Sequence, residues 1–171
     1  MKNFKPRQEV PELVVNTVNG MQWKLRETKP ENFNLVIFYR GLHCPVCKTY
    51  LEELNGLVSD YSKRGVNVIA ISSNNKELAE KTVENWDIEN VTIGYDMPIE
   101  EARKWDLYIS EGINDKEPNE FIEPALFLIR PDQTLYASSI QSMPFARPKL
   151  KELLKSIDFV LDKDYPARGE K

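Results

Sequence analysis

The chain has 171 residues, 41% hydrophobic and 29% charged, with a formal net charge of −4. That length supports one good hydrophobic core and not two, so a single domain over residues 1–171 is expected. The acidic balance, without a Lys/Arg cluster, excludes a nucleic-acid footprint, and no apolar run approaches the roughly 18 residues of a membrane span.

The start, Met1-Lys2-Asn3-Phe4-Lys5-Pro6-Arg7, has no apolar segment behind its positive charges, so a cytoplasmic protein is expected. Residues 10–27 read as a hairpin turning at Asn19-Gly20, because both residues tolerate the positive φ of a tight turn. Lys29-Pro30-Glu31-Asn32 is a connector, and Leu35 to Tyr39 is a short β-branched and aromatic run that reads as a buried strand. From Val46 the pattern changes: Val46, Tyr50, Leu51, Leu54, Leu57, Val58 and Tyr61 repeat at helical spacing.

Cys44 and Cys47, the only cysteines, sit at this strand-to-helix junction. The first turn of a helix has unpaired N–H groups and the positive end of the dipole, both of which stabilise a thiolate. Pro45 fits the helix opening. With two residues between them, the sulfurs share one turn and can close a small disulfide ring. Arg40, His43 and Lys48 add positive charge within reach. In a reducing compartment such a pair points to catalysis or redox sensing rather than to a structural staple. Structural zinc wants about four ligands, and Cys44, Cys47 and the lone His43 supply three at most, so no metal and no cofactor are expected.

Gly65 closes the helix and Val66 to Ser72 reads as a strand; the strand–helix–strand order implies a right-handed crossover and parallel pairing. Asn74 or Asn75 caps a helix running to about Trp86, with Glu77 placed to complete the cap. Val91-Thr92-Ile93 is a short strand, followed by a helix over about Ile99 to Trp105. Ser110 to Glu123 is polar and broken by Gly112 and Pro118, and reads as a long connection, either functional or a plain surface excursion. Pro124 starts a strand to Ile129, Pro131-Asp132-Gln133 turns it, and Thr134 to Ile140 returns beside it. Pro148 opens the last helix, with Leu150, Leu153, Leu154, Ile157, Val160 and Leu161 on one face, and the charged tail 162–171 is expected to fray. Trp23, Trp86 and Trp105 read as packing residues.

A C-x-x-C beside a βαβ pattern resembles the thioredoxin-fold redox proteins. More closely, the chain resembles their peroxiredoxin branch, the alkyl hydroperoxide reductase/thiol-specific antioxidant family. That family's F-Y-P-x-x-x-T-x-x-C matches Phe38-Tyr39-Arg40 through Cys47 without a gap, placing Cys47 on the peroxide-attacking cysteine, Cys44 on the threonine and Arg40 on the proline. Asp96 through Ala102 and Trp105 is similar to its D-x-x-x-x-x-A-x-x-Y, Ala125 to Ile129 with Pro131-Asp132 to its F-I-I-D-P-D-G, and Met143 through Arg147 to its L-P-x-x-R. Where the family has an arginine before the F-I-I-D strand this chain has Pro124, which resembles instead the thioredoxin cis-proline facing the C-x-x-C.

The resemblance implies an α/β thioredoxin-like fold: a central mixed sheet of about five strands flanked by helices, with an N-terminal β-hairpin. It implies a thiol-dependent peroxide reductase cycling through a Cys44–Cys47 disulfide, with Arg40 or Arg147 supplying a guanidinium. A second reading is a protein disulfide oxidoreductase in which Cys44, at the helix start and so better exposed, is the nucleophile. There His43 either tunes Cys44 or only fills the loop. A third is a binding or redox-sensing module with a structural dithiol. Expected partners are a peroxide, a dithiol reductant such as thioredoxin and, as an option, a second copy in a homodimer, with no nucleic acid and no membrane.

Overall fold

β1 (Val14–Thr17) and β2 (Gln22–Lys24) pair antiparallel around a loop in which Gly20 takes φ 86°, as Asn19-Gly20 predicts. The computed structural model describes residues 4–171; Met1, Lys2 and Asn3, which begin the basic start, lie outside the described residues. A 3-10 turn at Leu25–Glu27 leads to β3 (Phe33–Phe38), every residue of which is buried. α1 (Pro45–Lys63) follows, ending before Gly65 at φ 68°, and β4 (Val66–Ile71) returns parallel to β3. Next come α2 (Lys76–Asn85), β5 (Thr92–Tyr95) parallel to β4, and α3 (Ile99–Lys104). A short pair, β6 (Ile109–Glu111) and β7 (Glu120–Ile122), precedes β8 (Ala125–Ile129), β9 (Leu135–Ile140) and α4 (Leu150–Lys163).

The main sheet has seven strands in the order β2-β1-β5-β4-β3-β8-β9. The sequence suggested about five; the difference is the N-terminal hairpin, which pairs with β5 through Asn16↔Tyr95 and Thr17↔Gly94 and joins the sheet. β3 lies inside, parallel to β4 on one side and antiparallel to β8 on the other. Its alternating side chains therefore serve two layers. Leu35 and Ile37 pack with Leu51 and Leu54 of α1 and Ile157 of α4; Val36 and Phe38 pack with Trp105, Ile122 and Phe127. Tyr61 of α1 donates to Leu150 O at 2.7 Å, tying α1 to the start of α4. Trp86 and Trp105 are buried in these layers and Trp23 packs against one of them, as expected.

Three expectations change. Ser110 to Glu123 is not an irregular connection: its ends form the β6/β7 pair, and Glu123 N donates to Tyr108 O at 2.8 Å. Glu77 does not complete a cap. Asn75 caps α2 by accepting from Leu78 N at 2.9 Å, which puts Glu77 one position short of the reciprocal site, and it pairs with Lys81 at 2.8 Å instead. The tail does not fray as a whole: Ala167 is buried, its carbonyl accepts from Arg7 Nε at 2.9 Å, and Tyr165 O accepts from Tyr136 at 2.9 Å.

The loop between β3 and α1 is shaped by Gly41, which has φ 128° and packs on buried Asn74; a Cβ there would lie 2.5 Å from the amide of Asn74. Asn74 Oδ1 in turn accepts from Leu42 N at 2.8 Å. Gly41→Ala forces both a disfavoured φ and a clash, and is expected to destabilise the fold by about 1–3 kcal/mol, read as a lower urea midpoint with an unchanged slope.

Candidate active site

The two cysteines occupy the first turn of α1. Cys44 is its N-cap, and its Sγ accepts from Cys47 N at 3.2 Å, so sulfur fills the place that an Ser or Asp oxygen takes at other helix starts. Pro45 follows at the first helical position. Cys44 and Cys47 are joined by a disulfide with their Cα atoms 5.3 Å apart. Both are buried: Cys44 is 3% exposed and Cys47 0%. The expectation that Cys44 is the better exposed is met only by that margin.

The expected cations separate on inspection. Arg147 Nη2 lies 2.8 Å from Cys47 Sγ. Its guanidinium carbon stands over the ring of Tyr50 at 4.9 Å, and its Nε and Nη1 have no hydrogen-bond partner among the described residues. Burial pushes its pKa down to about 10, which still leaves a cation at neutral pH. Arg40 points elsewhere. Its Nε and Nη2 donate to Glu123 at 2.8 and 2.7 Å in a two-pronged pair, and its guanidinium carbon sits 5.2 Å from the centre of the Phe121 ring. Lys48 reaches Glu52 on the same helix at 3.9 Å rather than the sulfurs.

Glu123 is 1% exposed and also accepts from Ser110 Oγ at 2.5 Å. A carboxylate buried that deeply needs its partners, and a bidentate guanidinium with a hydroxyl supplies them. The β3/β8 register explains the pairing. Phe38 faces Ala125 in an antiparallel pair, so Arg40, two residues past the end of β3, comes opposite Glu123, two residues before the start of β8. The arginine that replaces the family proline and the carboxylate beside Pro124 are thus one unit.

His43 does not touch either sulfur through its nitrogens: neither has a hydrogen-bond partner among the described residues, and the ring packs edge-on against Phe121 at 4.7 Å. Burial is the main cause that holds its pKa below the ordinary 6.5, with Glu117 opposing, Arg40 reinforcing and Glu123 opposing more weakly. Pro124 needs correction. No peptide bond among the described residues is cis, so the Glu123–Pro124 bond is trans. Its neighbour Glu123 is engaged with Arg40, and Pro124 O accepts from Gln141 N at 2.9 Å, so this segment continues the β8/β9 pairing.

Beside the cysteines, Pro45, Val46, Tyr50, Pro144, Phe145 and Arg147 line an open groove of about 620 Å³. Sequence reasoning missed Glu123, Ser110 and Tyr50. Glu123 and Ser110 lie at the two ends of a stretch that reads as loop, and Tyr50 reads as one more aromatic in the helix stripe. The assembled chemistry is a dithiol/disulfide pair with one sulfur against a helix N-terminus and the other against a single guanidinium.

Three comparisons bear on this arrangement. The thiol peroxidase of Aquifex aeolicus is 27% identical over 109 residues, 64% of this chain. The thiol-disulfide oxidoreductase ResA of Bacillus cereus is 26% identical over 83 residues, 48% of this chain. The aligned stretches span 63% and 47% of those two proteins' own lengths. Among solved structures, a mutant form of the peroxiredoxin 6 of Arenicola marina superposes with a TM-score of 0.76 at 22% identity, over 94% of this chain and 75% of that one. It shares the thioredoxin-like fold that the C-x-x-C junction implies. Residues 6–138 match the AhpC/TSA family, a span that runs from before the hairpin through the cysteine junction into β9; the chain belongs to that family.

Proposed function

We propose that the protein is a thiol-dependent peroxide reductase in which Cys47 attacks and Cys44 resolves. The observation that carries this reading is Arg147 Nη2 at 2.8 Å from Cys47 Sγ, in a chain of the AhpC/TSA family. A fixed guanidinium beside a sulfur away from water favours the thiolate, the nucleophilic form. The two unpartnered donors of the same group, Nε and Nη1, are able to bond an oxygen that gains charge.

The cycle balances with these groups. In the reduced protein the Cys47 thiolate attacks one oxygen of a hydroperoxide; the O–O bond breaks, the leaving oxygen takes a proton as alcohol or water, and Cys47 becomes a sulfenic acid. The Cys44 sulfur then bonds to Cys47 Sγ and displaces the hydroxyl as water, giving the disulfide. With the disulfide closed, the two Cα atoms stand 5.3 Å apart, an ordinary disulfide separation, and the first turn of α1 is intact. A dithiol reductant, such as thioredoxin, attacks the Cys44 sulfur and Cys47 departs as the thiolate that Arg147 stabilises; the reductant's second thiol then displaces Cys44 as a thiol, and the reductant leaves as its own disulfide.

One observation favours disulfide exchange as the second reading: Cys44 is the sulfur that accepts the helix N–H at 3.2 Å, which suits it to be a thiolate nucleophile. With Pro124 trans, the feature that linked that residue to disulfide exchange is missing. Arg40 serves in our reading as the partner of Glu123 rather than as a catalytic cation, and His43 as a neutral packing group.

The single-cysteine variants separate the readings. Cys44→Ser is expected to consume one equivalent of hydrogen peroxide rapidly and to carry a trappable sulfenic acid, while Cys47→Ser does neither; accumulation of a mixed disulfide at Cys44 in Cys47→Ser, with slow peroxide reaction in every variant, would instead support exchange. Replacing the guanidinium by Arg147→Met is expected to raise the Cys47 thiol pKa by about 1–3 units and to slow the peroxide reaction by roughly a hundredfold, followed by stopped-flow consumption against pH. The single histidine gives a third handle. Its folded pKa lies below 6.5, so as pH drops below 6.5 the unfolded chain takes up a proton that the folded chain refuses. Stability present above that pH is therefore lost as pH falls toward the folded value, and melting curves of His43→Phe are expected to lack this component.

A further inference from the structure

Arg147 lies in the segment between β9 and α4, outside regular structure, and yet one of its nitrogens is held against a particular sulfur. A loop arginine is normally fixed by a carboxylate. Here no ion pair to Arg147 is found among the described residues, and Nε and Nη1 are without partners. Among the described residues, one cation–ring contact at Arg147 and one hydrogen bond at Pro148 fix this stretch, and both come from one side chain. The Tyr50 ring lies under the guanidinium at 4.9 Å, and the Tyr50 hydroxyl donates to Pro148 O, on the residue next to Arg147, at 2.6 Å. Tyr50 stands three residues after Cys47 on α1, so sulfur and ring share one helix face, and the arginine bridges them.

We propose that Tyr50 is the positioning residue of this site: its ring carries the Arg147 cation and its hydroxyl clips the backbone behind it, so that Nη2 stays on Cys47. The phenol keeps its proton, because burial raises its pKa further above the ordinary 10, Arg147 only partly offsets this, and Glu53 adds to it, and that proton is given to Pro148 O. The other charges that face Arg147, Arg40 and Glu123, are paired with one another and leave the aromatic face as its main attraction. A cation over a desolvated ring is held by the ring's quadrupole, a force that an aliphatic side chain cannot supply. The inference rests on the role given to Arg147 above, and it concerns the thiol whatever the oxidant.

The test uses the Cys44→Ser protein, in which Cys47 is the lone thiol, and follows thiolate absorbance at 240 nm against pH together with the peroxide rate. Tyr50→Leu is expected to raise the Cys47 pKa by about one unit and slow the reaction about tenfold, the size of a lost partly buried cation–π contact. Tyr50→Phe, which keeps the ring and loses the clip, is expected to lose about twofold. In the Arg147→Met background Tyr50→Leu is expected to add nothing, since the two residues then form one broken unit. Equal shifts from Tyr50→Leu with and without Arg147, or equal damage from Phe and Leu, overturn the proposal. Should Tyr50→Leu fail to fold, Tyr50→Met, of similar bulk without a π face, takes its place. A thiol titration that behaves as described in a protein inert to peroxide would sink the peroxidase reading alone.

Discussion

The contact on which the site depends is a guanidinium nitrogen 2.8 Å from a sulfur that has no exposure to solvent. A buried thiol left to itself keeps its proton, because a charge withdrawn from water is unfavourable. In the proposed cycle, a cation brought to it from a separate segment reverses that preference. Much of the architecture serves to bring this about. β3 is buried along its length between β4 and β8 and so fixes the height at which α1 starts, while Tyr61 and Tyr50 fasten the segment leading into α4 to the same helix.

The neighbouring sulfur is treated differently. Among the described residues no guanidinium bonds to Cys44; it caps α1 and takes one backbone N–H. The two thiols of one turn thus lie in unlike electrostatic surroundings, one set by the helix and one by a distant residue. In the proposed cycle, the division of labour between attack and resolution follows from that asymmetry rather than from any difference in the side chains themselves. Arg40 and Glu123 add a quiet boundary: a neutralised pair that closes the other side of the junction without contributing a second free cation.

Much of this was legible in the sequence. The hairpin at Asn19-Gly20, the β3–α1–β4 crossover and the placing of both thiols in the first helical turn all come from local pattern and turn chemistry, which act over a few residues. The role of Arg147 was legible only as one of two arginines, since which one faces a sulfur a hundred positions away is decided by tertiary packing. The Arg40–Glu123 pair was hidden for a similar reason: it becomes visible only when β3 and β8 are laid side by side in register. Tyr50 escaped because an aromatic at helical spacing reads as core. Residues 110–123 misled because short polar strands lack the alternation that marks longer ones. The trans bond before Pro124 corrects a likeness drawn from position alone.

The small ring at the head of α1 has a thermodynamic corollary. A bridge between residues three apart restricts the unfolded chain little, by about 2 kcal/mol on chain-entropy grounds, whereas the layers on both faces of the sheet are held by broad apolar packing in which the two cysteines are a small part of one cluster and absent from the other. In the cycle proposed above, opening and closing the bond touches one corner of that packing, so electrons are loaded and unloaded at the edge of a scaffold whose remaining contacts lie elsewhere.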